Sequence, residues 1–196
     1  MKAAVIDTNV LLVANGSHAD VSPACRKICI ERLCQHQASG VVVIDDGYRI
    51  LREYLNKTRP NQPKGVGDAF LKWLLQQAGN AARVHRVPLT EVAENEFEEF
   101  PVPDLQPAFD PADRKFAAVA HAHPDKPPIW QAADSKWLNW QDSLLARGVR
   151  VDFLCPDDAA RYYGNKFSGE ASSLRSPGNR LTAGKRAVGD VTRRGR

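Results

Sequence analysis

Four short apolar runs punctuate the chain: KAAVI at residues 2–6, VVVI at 41–44, PIWQAA at 128–133 and VRVDFL at 149–154. None alternates strictly between apolar and polar positions. Each therefore predicts a strand covered on both faces, as in a parallel sheet. RVHRV at 83–87 is a candidate fifth strand. Between these runs the apolar positions recur at helical spacing, over residues 23–37, 46–57, 67–77, 111–121 and 136–147. Strands alternating with helices predict an α/β layer fold with right-handed crossovers. Residues 91–106 are acidic and hold Pro101 and Pro103. They predict a short helix and then an irregular loop, lying on the surface because unpaired acids are costly to bury. There is no internal repeat.

Composition changes this picture at the C-terminal end. The chain has 196 residues, 43% of them apolar and 26% charged, which is ordinary for a globular protein. A body of this size buries a full core without disulfides. No run of eighteen apolar residues occurs, so no membrane span is expected. Asp7 breaks the N-terminal apolar stretch, unlike the uncharged core of a secretory signal, and the expected location is cytoplasmic. The net charge of +4 is unevenly placed. From residue 165 onward eight basic residues face only Glu170 and Asp190, which leaves residues 1–164 slightly acidic. Residues 165–196 are rich in Gly, Ser and Arg and poor in large apolar side chains. Such a segment cannot offset its ordering entropy and is predicted to be disordered, the alternative being a docked arm. The domain is then residues 1–164.

The four cysteines, Cys25, Cys29, Cys34 and Cys155, form no CxxC pair and no zinc-type spacing with histidine. Cys25 and Cys29 fall on one helix face, where small apolar packing in a reducing compartment is the expected role.

The candidate chemistry lies in the carboxylates. In parallel α/β sheets, ligands bind beyond the carboxyl ends of the strands. Asp7 directly follows the first strand and Asp134 the strand at 128–133. If those two strands are neighbours, both carboxylates enter one crevice. Asp113 lies near the start of an Ala-rich helix, with Asp110 read as its N-cap and Pro111 at its first position. Taken alone, Asp113 is explained by the helix dipole. Glu53, within DDGYRILREYL, is explained as a solvated helix acid, and Asp46 as the cap of that helix. Three or four such acids in one place are different: they repel one another and call for a hard cation such as Mg²⁺ or Mn²⁺.

These segments also carry a resemblance. AVIDTNVLL resembles the opening of a PIN domain, VVVIDDGYRILREYL its second strand and the helix with a glutamate, DRKFAAVAHA its third acidic position, and IWQAADSKW its fourth strand and terminal aspartate. The four motifs come in the family's order and span residues 1 to about 155. The resemblance implies a three-layer α/β/α fold with a central, mostly parallel sheet of four to five strands. It implies a metal-dependent ribonuclease in which Asp7, Glu53, Asp113 and Asp134 bind one or two Mg²⁺ or Mn²⁺ ions. Thr8 or Asn9 would orient Asp7 or a water. Hydrolysis would leave a 5′-phosphate and a 3′-hydroxyl. It leaves open a toxin-type role with an antitoxin or other protein partner, and a homodimer. The chain departs from the family pattern after Asp134. Many members carry a further acid two or three residues on, where this chain has Lys136 and Trp137.

Smaller signals surround these. Arg49, Arg52, Lys57, Arg59 and Lys64, with Tyr48, form either a nucleic-acid-binding rim or a solvated helix face. Trp137 and Trp140 suit core packing, and His121 and His123 suit the end of a helix. Two alternatives stand beside the nuclease: a nucleic-acid-binding module with an inactive site, and a phosphatase of haloacid-dehalogenase type. The phosphatase needs an acid two residues after Asp7, where this chain has Asn9.

Overall fold

The apolar runs become strands in a computed structural model of the chain, which describes residues 2–18 and 20–173, the last eight as backbone only. In chain order the elements are β1 (Ala3–Ile6), α1 (Thr8–Ala14), α2 (Pro23–Ser39), β2 (Val41–Asp45), α3 (Arg49–Lys57), α4 (Val66–Gln77) and β3 (Val84–Val87). Then follow β4 (Glu91–Ala93), β5 (Glu96–Phe97), α5 (Arg114–Ala122), β6 (Ile129–Gln131), α6 (Gln141–Leu145), β7 (Val151–Phe153) and α7 (Pro156–Ser173). Short 3-10 helices occupy Pro103–Ala108 and Ser135–Asn139.

Five strands form one parallel sheet in the order β3-β2-β1-β6-β7. Val5, Ile6, Val42, Val43, Ile44 and Ile129 are fully buried, which is why their runs do not alternate. On one side α5 packs on β2, β1 and β6, while α1, α2 and α4 pack on one another as a separate layer. The expected α/β/α architecture is the observed one. β1 and β6 are neighbours, with Ile6 paired to Trp130 and the Asp7 amide bonded to the Trp130 carbonyl at 2.9 Å. The chain moves outward from β1 in one direction through β2 and β3, then returns to the other side of β1 as β6. That reversal opens a crevice at the carboxyl ends of β1 and β6.

Several local expectations are corrected. The segment at 91–106 holds no α-helix: β4 and β5 form an antiparallel hairpin, followed by the 3-10 helix. Asn95 takes a left-handed conformation (φ 57°) in the hairpin turn, and its amide donates to the Glu91 carboxylate at 2.8 Å. The acids stay outward while Phe97 and Phe100 turn into the interior. The helix expected from residue 46 begins at Arg49, because the Asp45 carboxylate, not Asp46, accepts from the Arg49 and Ile50 amides at 2.7 and 2.9 Å. The helix expected over 136–147 splits into the 3-10 helix and α6. Trp137 is buried and Trp140 half-buried, both packed on Phe109, as core residues.

Cys25 is joined to Cys155 in a disulfide across 130 residues of sequence, tying α2 to the start of α7. This overturns the expectation that Cys25 serves only as a reduced packing residue. Spacing gave no sign of it, since the partner lies on a distant element. Cys29 remains a buried free thiol, pushed up to about 12 by burial and the nearby Asp158 charge. Helix α7 runs through the boundary expected at 164–165. The rest of the basic tail, residues 174–196, and its expected disorder lie outside the described residues. No helix among the described residues is long and apolar enough to cross a membrane.

Candidate functional site

Asp7 ends β1 and caps α1. Its Oδ1 accepts from the Asn9 amide at 2.8 Å, which fixes the carboxylate over the crevice. The side chain is buried, yet it forms no ion pair among the described residues and accepts no hydrogen bond beyond that from Asn9. Burial first, then the charges of Asp113, Glu53 and Asp134, push its carboxyl well above the usual carboxylate range. The Asn9 amide offsets this only in part.

The other three candidates converge on the same place from three elements. Glu53, on α3, accepts at Oε1 from the Thr8 hydroxyl at 2.5 Å, and its Oε2 pairs with the Lys115 ammonium. Asp113 stands at the N-cap of α5 but makes no capping bond, so its carboxylate is not consumed by the helix end. The dipole explanation for Asp113 therefore does not account for where its side chain is held. Its carboxyl is pushed up to about 7, chiefly by burial and then by Asp110, Asp134 and Glu53, against the lowering effect of Lys136. Asp134 follows β6 and accepts from the Lys136 amide at 3.0 Å, capping the 3-10 helix.

The two supporting residues act on different acids. Thr8 orients Glu53, not Asp7. Asn9 acts on Asp7 through its backbone amide, while its side-chain oxygen accepts from the Ala132 amide at 3.0 Å and straps α1 to the end of β6. Asp110 is no helix cap: it accepts from the Ala112 amide at 3.1 Å and from Lys136 at 2.5 Å.

Sequence reading missed the two lysines. Lys115 is almost wholly buried against Glu53 and the Ala112 carbonyl. Lys136 extends its Nζ to Asp110 at 2.5 Å, Asp134 at 3.5 Å and Asp113 at 3.6 Å. The available signal was spacing: each lysine follows a candidate acid by two residues, Asp113 and Asp134 respectively.

The acids are together but not closed around a point. Among the described residues, the set of three ligand atoms within 4.8 Å of one another is sulfur, from Cys25, Cys29 and Cys155. Two of those sulfurs are already bonded to each other. The carboxylates stand farther apart, with ammonium groups between some of them. Their donor set is hard oxygen and suits Mg²⁺ or Mn²⁺. Asp7, buried and lacking a cation partner, fits such an ion. Beside it, a cleft of about 330 Å³ is lined by Asn9, His18, Asp134, Ser135 and Tyr162.

Of the expected basic rim, Arg49 is consumed by ion pairs with Glu91 at 2.5 Å and Asp45 at 3.7 Å. That removes it as a free phosphate contact. Arg52 and Lys57 are exposed on α3 and line a groove that reaches Glu53 and Lys115. His121 and His123 also differ from expectation. His121 bonds the Glu99 carbonyl at 3.0 Å, and His123 stacks on His85. Burial and the neighbouring His85 lower His123, so it does not serve as a charged helix end.

Comparison with protein-family models, with curated proteins and with solved structures finds no match to this chain.

Proposed function

We propose that the chain is a divalent-metal-dependent ribonuclease of PIN type that hydrolyses RNA phosphodiester bonds. The observation that carries this reading is Asp7: a buried carboxylate at the topological switch of a parallel sheet, facing three other acids and paired with no cation among the described residues. Burying an uncompensated carboxylate is costly, and a site that binds a cation explains why it is retained. The order of the four motifs along the chain supports the same reading.

Asp7, Glu53, Asp113 and Asp134 would hold Mg²⁺ or Mn²⁺. When bound, such an ion supplies Lewis acidity at a phosphoryl oxygen and lowers the pKa of a water. The chain's own residues prepare the place. Thr8 fixes one oxygen of Glu53, and the Asn9 amide fixes one oxygen of Asp7. The Asn9 side chain holds β6 so that Asp134 stays across from Asp7. Arg52 and Lys57 stand where a phosphate backbone crossing the groove meets positive charge.

A second reading, an RNA-binding module without catalysis, draws support from Lys115 and Lys136, which already neutralise part of the acid cluster. The phosphatase reading gains nothing here, because Asn9 is a neutral amide engaged with the Ala132 backbone. Incubating a labelled single-stranded RNA with wild type in Mn²⁺, wild type in EDTA, and Asp7→Asn in Mn²⁺ separates these readings. The nuclease reading expects cleavage in the first tube alone. RNA binding without cleavage in all three supports the second reading.

A further inference from the structure

Lys136 stands where the acid cluster faces outward, and it is held there at both ends. Its backbone amide donates to Asp134 Oδ1 at 3.0 Å, so the residue is anchored by the carboxylate that caps its helix. Its ammonium then turns back to reach Oδ2 of Asp110, Asp134 and Asp113 at 2.5, 3.5 and 3.6 Å. One nitrogen thus faces three carboxylates from two separate segments, Asp110 and Asp113 before α5 and Asp134 after β6, a placement otherwise suited to a metal ion. Asp7, by contrast, forms no ion pair among the described residues.

The charges divide the cluster into two halves. Asp7, Glu53, Asp110, Asp113 and Asp134 contribute five negative charges when ionised, against two positive charges from Lys115 and Lys136. One divalent ion brings the set close to neutrality. Two would make it positive before any phosphate arrives. Without Lys136 the remainder would be four negative charges, which two divalent ions balance. A tethered ammonium also needs no binding equilibrium of its own.

We propose that Lys136 is a built-in second cation: its ammonium takes the place of a second divalent ion between Asp113 and Asp134, so that this chain binds a single ion, on the Asp7 side. The inference rests on the metal-dependent reading above, and its test distinguishes the two. The number of Mn²⁺ ions bound per full-length chain is counted by titration, with the free ion followed by electron paramagnetic resonance. Wild type, Lys136→Gln, Lys136→Met and Lys136→Arg are compared. The expected counts are one for wild type and Lys136→Arg, and two for the variants that lose the charge. A side chain that merely packed would not change the count. Two ions on wild type, or one ion on a folded Lys136→Gln or Lys136→Met protein, overturns the role of Lys136 while leaving the metal site standing. No ion on wild type overturns both. Lys136 is partly exposed, so both neutral variants are expected to fold.

Discussion

Neutralising Asp113 is expected to stabilise the metal-free protein, the reverse of what removing a structural acid does. Its carboxyl is pushed up to about 7 from the ordinary 3.8, by burial and by Asp110, Asp134 and Glu53. The side chain is only 14% exposed, so solvent screening removes little of this. A rise of about three units corresponds to roughly 4 kcal/mol of unfavourable charge energy at neutral pH, as an upper figure. The sign follows from linkage. Between pH 4 and 7 the folded state holds this proton more tightly than the unfolded state, so this group's contribution to stability falls as pH rises through that window. Asp113→Asn removes the charge and retains the shape. Its amide recovers only part of the cost because it too needs partners, so a gain of about 1–3 kcal/mol at pH 7 is expected. For a chain of this length that is a rise in Tm of roughly 2–10 °C. The assay is thermal unfolding in EDTA at pH 5 and pH 7, for wild type and Asp113→Asn. The stability gap between the two proteins should widen by about 2 kcal/mol from pH 5 to pH 7. Saturating Mn²⁺ should then reverse it, since binding to the native state alone stabilises whichever protein binds better. A variant less stable than wild type in EDTA at pH 7, or a gap that does not change with pH, would refute the crowded-carboxylate account.

Further outcomes follow from other parts of the molecule. His123 is lowered by burial and His85, so its neutral form is favoured by folding; stability should fall as pH drops below about 6.5, and His123→Gln should flatten that limb of the unfolding profile. Reducing the Cys25–Cys155 disulfide releases a loop spanning 130 residues, which in the chain-entropy model costs up to about 5 kcal/mol; unfolding in denaturant with and without reductant measures it, and an unchanged midpoint would count against the cross-link. Deleting residues 174–196 removes seven basic residues and one acid. RNA affinity should weaken and the log-log salt slope flatten by roughly one unit for each phosphate that the tail no longer neutralises, with an unchanged slope showing that the tail does not touch RNA.

The fold was legible because its strands are short apolar runs that must be covered on both faces, and five of them lie where the pattern put them. The neighbouring of β1 and β6, on which the shared position of Asp7 and Asp134 depends, could be posed as a condition but not decided by pattern. The hairpin at β4 and β5 was hidden because its turn rests on one left-handed Asn95 within a run of acids. The acids of the site were legible as types and positions. Their partners were not: Lys115 and Lys136 reach across elements, and only the fold brings their ammonium groups to Glu53 and to Asp113 and Asp134. The same holds for Arg49, a free cation by sequence and a paired one in the fold. The Cys25–Cys155 link joins segments too far apart for spacing to reveal.

The most direct test of the central claim is a crystal of the full chain soaked in Mn²⁺ and measured at the manganese absorption edge. The account predicts an anomalous peak in direct contact with an Asp7 carboxylate oxygen, and loss of that peak in Asp7→Asn crystals. Saturating Mn²⁺ that leaves no peak at Asp7, or a peak that persists in Asp7→Asn, would contradict it.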